Sequence, residues 1–284
     1  MKKVIDADLP IGSDGRIYHL GLKAGELAQR IITVGDENRA KIIADKLDAD
    51  HPKFSYRSSR NFLTYTGKYR GVSVSIVMIG MGYPNMDFLV REASAVCDEP
   101  MAFIRVGSCG CLKRNEDVMP EFAIPAEGGV MIQRNYDYSP EATSSLPYLV
   151  SKPFLPHKEL TEELTEQVYK RLSDRRKLLL SKNATADSFY SSQARLTKDF
   201  QDDNEELFDE LKQLGIGTLE METGHLLFMS KIAKRPIYAS ALQIVLADRS
   251  GGKLLADPVA RSELDSFAAE IALDAITNFK MPEK

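Results

Sequence analysis

Apolar and polar positions along the 284-residue chain follow two alternating periods, and their alternation outlines an α/β protein. Residues 30–35 (RIITVG) read as a short buried strand stopped by glycine. Asp36-Glu37-Asn38 then forms a helix-start cluster, and the helix behind it turns Ala40, Ile42, Ile43 and Leu47 inward. Residues 62–69 and 72–79 are two β-rich runs joined near Gly71, the pattern of a hairpin. Gly80 to Gly82 (GMG) ends the second run, and Pro84 opens a helix reaching Cys97. Residues 103–110 (FIRVGSCG) begin as a buried strand and are expected to turn through Gly107, Ser108, Cys109 and Gly110. Further strands are expected at 177–183, 217–221 and 236–245, and helices at 158–175, 204–214, 223–234 and 263–278. The first 17 residues are polar and read as a loose arm, and turn-rich 128–157 reads as a long surface insertion. Strands alternating with helices predict one mostly parallel sheet covered on both faces, in one domain spanning 1–284.

Composition narrows the class. Apolar residues make up 43% and charged residues 27%, ordinary values for a globular protein with material for a core. A net charge of −4 and a pI near 5.7 argue against a nucleic-acid or anionic-membrane surface. The start carries two lysines with no apolar run behind them, unlike a signal peptide, and no long apolar window suggests a membrane span. Three cysteines (Cys97, Cys109, Cys111) fit a reducing cytoplasmic setting, and Cys109 and Cys111 make a poor zinc site.

Five clusters could carry chemistry. Arg105 lies inside an otherwise apolar strand, and a guanidinium cannot shed its charge, so burial requires an anion beside it. The anion could be a ligand held with Ser108 and the backbone of Gly107 and Gly110, or simply a neighbouring carboxylate. Gly35 and Arg39 stand just beyond a strand end; Arg39 either joins Arg105 as a second anion ligand or is a solvated first-turn residue. In FYSSQAR (189–195), Gln193 and Arg195 match the acceptor, donor, acceptor edge of uracil, and Phe189 could stack on the ring; the plain alternative is a polar loop. Glu220 and Glu222 in LEMETG could hold two vicinal ribose hydroxyls with Met221 against the sugar, or favour a helix N-terminus. Asp248 and Arg249 leave a buried strand for a glycine-rich turn, either a flap over a base or a salt-bridged turn. Among four histidines, His19 in YHLGL stands in the most suggestive setting.

Taken together, the order YHLGL, VGDENR, SRNF, GMG, RVGSCG, FYSSQAR, EMET, ADR resembles the nucleoside phosphorylase superfamily, in its uridine phosphorylase type, across nearly the whole chain. The resemblance implies a three-layer α/β/α fold with a central mixed twisted sheet. It implies phosphorolysis of uridine, and by extension deoxyuridine, to uracil and ribose 1-phosphate, with inorganic phosphate as co-substrate and no cofactor. By the same resemblance Gly35, Arg39, Arg105 and Ser108 form the phosphate site, with Arg60 reaching it from a neighbouring subunit of a dimer or hexamer. His19 likewise crosses to the ribose, which Glu220, Met221 and Glu222 hold. Gly110, Phe189, Gln193, Arg195 and Arg249 surround the base, and Arg105, Gln193 and Arg195 carry the catalysis. Three departures stand out. Ser108-Cys109 replaces a threonine pair, and Asn61 replaces a glutamate that binds potassium in some members, so no metal is expected. Asp248 stands where the uridine enzymes carry asparagine and purine phosphorylases an acid, so a purine phosphorylase is one alternative; a hydrolytic nucleosidase of this fold, which uses water and needs no arginine cluster, is the other.

Overall fold

A computed structural model describes residues 7–136, 147–254 and 258–282. In chain order the strands are β1 (Arg30–Val34), β2 (Phe54–Arg57), β3 (Leu63–Tyr69), β4 (Val72–Met78), β5 (Met101–Cys111), β6 (Phe122–Ile124) and β7 (Gly129–Arg134). They continue as β8 (Tyr148–Val150), β9 (Leu178–Leu180), β10 (Lys182–Ala186), β11 (Ile216–Glu220), β12 (Ile237–Asp248) and β13 (Lys253–Leu254). The α-helices are α1 (Glu37–Asp45), α2 (Tyr83–Val96), α3 (Lys158–Tyr169), α4 (Leu207–Gln213), α5 (Thr223–Ile232) and α6 (Pro258–Asn278).

All strands belong to one mixed sheet whose main path runs β2-β3-β4-β1-β5-β11-β10-β7-β8. β1 lies parallel between β4 and β5, and β12 lies parallel to β5 from Met101 to Cys111. Alternation along the central strands sorts side chains to two faces. Ile31 and Phe103 meet Leu89, Val90, Leu226 and Leu227 of α2 and α5 on one face. Ile32, Val34, Ile104 and Val106 meet α1, α3 and α6 on the other. Each large side chain buried this way contributes about 1.5–3 kcal/mol, so two filled faces stabilise the three-layer α/β/α arrangement.

The sheet has one break in its pairing that matters. β12 occupies one edge of β5 along its whole length, so β1 and β11 must share the other edge. β1 pairs with β5 from Ala102 to Val106, and β11 pairs antiparallel with Gly110 and Cys111. Gly107, Ser108 and Cys109 therefore face no strand on that edge, and the sheet parts there at the carboxyl end of β1. In open α/β sheets such a parting is where ligands collect.

Several expectations change. The expected turn at Gly107 to Gly110 is continuous strand, because β12 pairs with every residue there and holds the glycines extended. The 128–157 stretch is not purely a surface insertion. β7 is sandwiched between β10 and β8 with Val130 and Ile132 buried, while 137–146 lie outside the described residues. The N-terminal arm is tied down at its end: Ile17 is core, and Arg16 makes paired hydrogen bonds of 2.6 and 2.7 Å to Glu26. The 177–183 run splits at Ser181 into β9 and β10, which pair with different partners. The 158–175 helix stops at Tyr169; downstream the Asp174 side chain caps a separate short turn at Arg175–Lys177.

Candidate active site

Around the parting, four loop starts converge. After β1, Gly35 passes so close to Arg105 that a Cβ there would lie 3.3 Å from the Arg105 Nη2. Asp36 then caps α1 by accepting from the Arg39 N–H at 2.9 Å, which fixes Arg39 in the first turn. The Arg39 side chain is buried rather than solvated, donating from Nε to Asp265 of α6 at 2.7 Å and from Nη2 to the Ser108 hydroxyl at 3.0 Å. Arg105 is only 3% exposed and donates from Nη2 to Glu222 at 2.9 Å. Its Nε and Nη1 are buried without any protein acceptor. Gly35, Arg39, Arg105 and Ser108 are thus brought together, and the cluster still holds donors aimed at nothing.

Glu222 sits at the start of α5, where its other oxygen accepts the Gly82 N–H at 2.5 Å. Gly82 itself has φ +93 and precedes Pro84, so the GMG turn delivers a backbone donor that a side-chain-bearing residue would present only with strain. Glu220 has a different employment. Its oxygens accept from Asn183 at 2.8 Å, from the Thr185 hydroxyl, from the backbone N–H groups of Glu222 and Thr223 at 2.9 and 2.8 Å, and from the Thr223 hydroxyl. Burial, then the nearby Glu222, push its pKa up against these donors. Glu220 thus ties down the backbone at the start of α5, where Glu222 stands, while Met221 between them is half-buried.

The base-reading candidates also assemble. A short turn over Ser191–Gln193 ends on Ala194 at φ +53, which lets Arg195 fold back on the same loop. Arg195 donates to the Gln193 side-chain oxygen at 2.6 Å and to the Phe189 carbonyl at 2.7 Å, and its guanidinium lies 3.7 Å from the Phe189 ring centre. Burial and the neighbouring Arg249 bring the Arg195 pKa down to about 10. Arg249 crosses from the end of β12 and donates to the carbonyls of Gln193 and Ala194 at 2.9 and 3.3 Å. Its stem lies against Gly110, where a Cβ would come within 2.8 Å of it.

Asp248, the alternative acid, is buried and engaged. Its carboxylate accepts from the Gly251 N–H at 2.9 Å and from Arg114 at 2.8 Å. Burial alone would raise its pKa, but Gly251, Arg114 and Ser250 outweigh it and hold the pKa below the usual value. An acid kept ionised is poorly placed to give a proton.

His19 and Arg60 lie together, but apart from this cluster. Glu92 of α2 accepts from the His19 backbone and side chain, Phe88 stacks on the His19 ring at 3.8 Å, and Arg60 donates to the Tyr18 hydroxyl. His19 is half-buried on the buried Glu92, while Tyr18 and Arg60 are exposed. Pattern reading missed Asp265, Glu92, Asn183, Thr185 and Arg114, all partners of predicted residues. Each is a polar residue made buried or paired by elements distant in sequence, and no local spacing marks them.

Two other features do not compete. A cavity of about 520 Å³ between α6, the start of β6 and the segment following α3 includes Arg171 and Lys177, but these cations are already matched to Asp274 and Glu121. Among the described residues, Asp48, Asp50 and His51 have spacing suited to a cation, yet Asp48 already accepts the Arg70 and Gly71 N–H groups.

Comparison with known proteins bears on the family and the fold. A uridine phosphorylase of Thermococcus kodakarensis is 29% identical over 234 residues, spanning 82% of this chain and 78% of that one. A DeoD-type purine nucleoside phosphorylase of Streptococcus suis is 33% identical over 223 residues, 74% of this chain and 78% of its own. A solved structure from work on two uridine phosphorylases of the oomycete Phytophthora capsici is 38% identical, covers 99% of this chain and 100% of its own, and superposes with a TM-score of 0.89. The Phosphorylase superfamily profile matches residues 29–276, from the start of β1 to the last turn of α6, and the chain belongs to that family.

Proposed function

We propose that this protein cleaves uridine with inorganic phosphate, giving uracil and ribose 1-phosphate, with deoxyuridine a second substrate. The observation that carries the reading is Arg105: a buried guanidinium that satisfies Glu222 on one nitrogen and leaves the other two nitrogens unpartnered. Buried donors left unmade cost free energy, and an anion between Arg39, Ser108 and Arg105 would satisfy them. A hydrolytic nucleosidase, which uses water, has no use for that cluster.

Phosphate held there attacks C1′ of the ribose from the face opposite the base, and the C1′–N1 bond breaks with its electrons passing to uracil. Glu222 holds ribose hydroxyls with Met221 against the sugar, and Glu220 acts through α5 by fixing Glu222. Uracil leaves as an anion whose charge gathers on its oxygens. The Gln193 amide and the Arg195 guanidinium read that edge, Arg249 and Gly110 shape the wall, and Phe189 lies on the ring face. Fixed donors aimed at developing charge lower the barrier without a covalent intermediate. The pyrimidine reading is favoured over the purine one because Gln193, Arg195 and Arg249 are assembled while Asp248 is held ionised.

In the assembled protein, Arg60 and His19 reach the phosphate and ribose sites of a partner subunit. The exposure of Arg60 and Tyr18 beside the half-buried His19 supports that role in a dimer or in dimers arranged as a hexamer. No helix among the described residues is long and apolar enough to cross a membrane, and three buried free thiols suit the cytoplasm.

The test is to mix the purified protein with uridine or inosine, with and without phosphate, and to follow free base by chromatography. Phosphate-dependent release of uracil is the expected result. Base released without phosphate would mean hydrolysis, and preferential inosine cleavage would reassign the base site.

A further inference from the structure

The Arg114–Asp248 pair joins a half-exposed cation to an acid that is 1% exposed, and it sits directly behind the base-reading residues. Asp248 ends β12, in register with Cys111 of β5 and Lys253 of β13. The turn that follows wraps its carboxylate closely: a Cβ on Gly251 would lie 2.6 Å from the oxygen that Arg114 binds. The next residue is Arg249, whose backbone N–H donates to the Cys111 carbonyl at 2.8 Å and whose guanidinium ends on the Gln193 carbonyl.

Arg114 is itself held in place. Upstream of it, the Ser250 hydroxyl donates to the Leu112 carbonyl at 2.8 Å and the Cys111 thiol to the Lys113 carbonyl at 2.9 Å. Downstream, Asn115 donates to the Leu178 carbonyl at 3.1 Å. A cation carried on a segment held at both ends can fix the acid it touches. The connected chain then runs Arg114, Asp248, Arg249, Gln193, Arg195, with one covalent link and hydrogen bonds elsewhere.

We propose that Arg114 is a positioning residue for the base site: it anchors the Asp248 carboxylate, and through it holds Arg249 on Gln193, so that the site favours a pyrimidine over a purine base. The inference rests on the phosphorolysis reading above. With Arg114 in place, Asp248 offers only acceptor oxygens and has no proton for a departing base. Uracil needs none, since it leaves as an anion beside Arg195. A purine leaves more readily as the neutral base. Freed from Arg114, Asp248 can take up a proton from solvent and pass it to the purine ring as the C1′–N9 bond breaks and phosphate bonds to C1′.

The experiment compares wild type, R114M and R114K. It measures kcat and KM with uridine, the inosine-to-uridine rate ratio, and amide hydrogen exchange across residues 248–252. Losing a hydrogen bond to a charged group should raise the uridine KM of R114M by about tenfold with a smaller change in kcat. The inosine-to-uridine ratio should rise by a similar factor, exchange in the turn should quicken, and R114K should restore most of each. Wild-type KM, ratio and exchange in R114M would overturn the proposal. If the wild type releases no uracil from uridine, the phosphorolysis reading fails by itself, and the exchange data still decide whether Arg114 anchors the turn: unchanged exchange refutes it.

Discussion

Arg105 and Glu222, 117 residues apart in sequence, meet at 2.9 Å with both side chains at least nine-tenths buried. The pair ties the central strand to the start of α5 and leaves the rest of the guanidinium free for an anion. Breaking it by removing one partner strands a buried charge, and such losses are typically about 3–5 kcal/mol. Arg105→Met is therefore expected to lower the unfolding free energy by that order, measured by urea denaturation, and to abolish saturation by phosphate. A variant as stable as wild type would show that Glu222 does not depend on Arg105.

Arg195 donates to Gln193 while its own guanidinium lies over Phe189. In the proposed reaction it faces the charge gathering on uracil, and loss of one such donor lowers turnover by about a hundredfold. Steady-state assays of Arg195→Ala with uridine should show that drop in kcat. Near-normal turnover would remove Arg195 from the catalytic step.

Glu222→Gln keeps the side-chain shape and an oxygen for the Gly82 N–H, but weakens the grip on vicinal hydroxyls. Its kcat/KM should fall further with uridine than with deoxyuridine, which lacks the 2′-hydroxyl. Equal losses on the two substrates would place the ribose hydroxyls elsewhere.

Gly110→Ala places a methyl carbon 2.8 Å from the Arg249 stem. Overpacking of this kind costs about 1–3 kcal/mol unless the neighbour yields. Arg249 is the neighbour free to yield, so the substitution should raise the uridine KM more than it lowers the melting temperature. The opposite pattern would mean that the backbone of β5, not Arg249, absorbs the strain.

Tyr69 donates to Asp274 at 2.9 Å, and burial with that carboxylate raises its pKa from 10 to about 12. Because the folded-state value is the higher one, its contribution to stability is complete below pH 10 and is lost as pH climbs towards 12. A shift of two units corresponds to roughly 2–3 kcal/mol. Denaturation curves between pH 9 and 12 should show that loss in wild type and a shallower one in Tyr69→Phe.

Much of this was legible in the sequence. The aliphatic run ending at Gly35, the hairpin about Gly71 and the Pro84 helix start all carry local signals, and each is found where its spacing put it. The charge inside an apolar strand marked Arg105 as needing an anion before any contact was known. Reading Gly107 to Gly110 as a turn failed because glycine's local freedom was overruled by eleven residues of pairing with β12. The 128–157 stretch misled in the same way: its prolines and serines read as turns, but β7 ahead of them is held between β10 and β8.

The sequence by itself determined the kinds of element, the residue types proposed here to hold an anion, a sugar and a base, and the family those motifs resemble. It did so because strand, helix and cap preferences act over a few residues. Only the tertiary structure decided that β1 and β11 share one edge of β5 and leave Gly107 to Cys109 between them. It alone divided the two acids, spending Glu220 on the backbone at the start of α5 and freeing Glu222 for Arg105. It also clamped Asp248 with Arg114, a partner 134 residues away. Those outcomes depend on which distant groups share one buried space, and burial makes charge pairing obligatory without recording the partner in the local sequence.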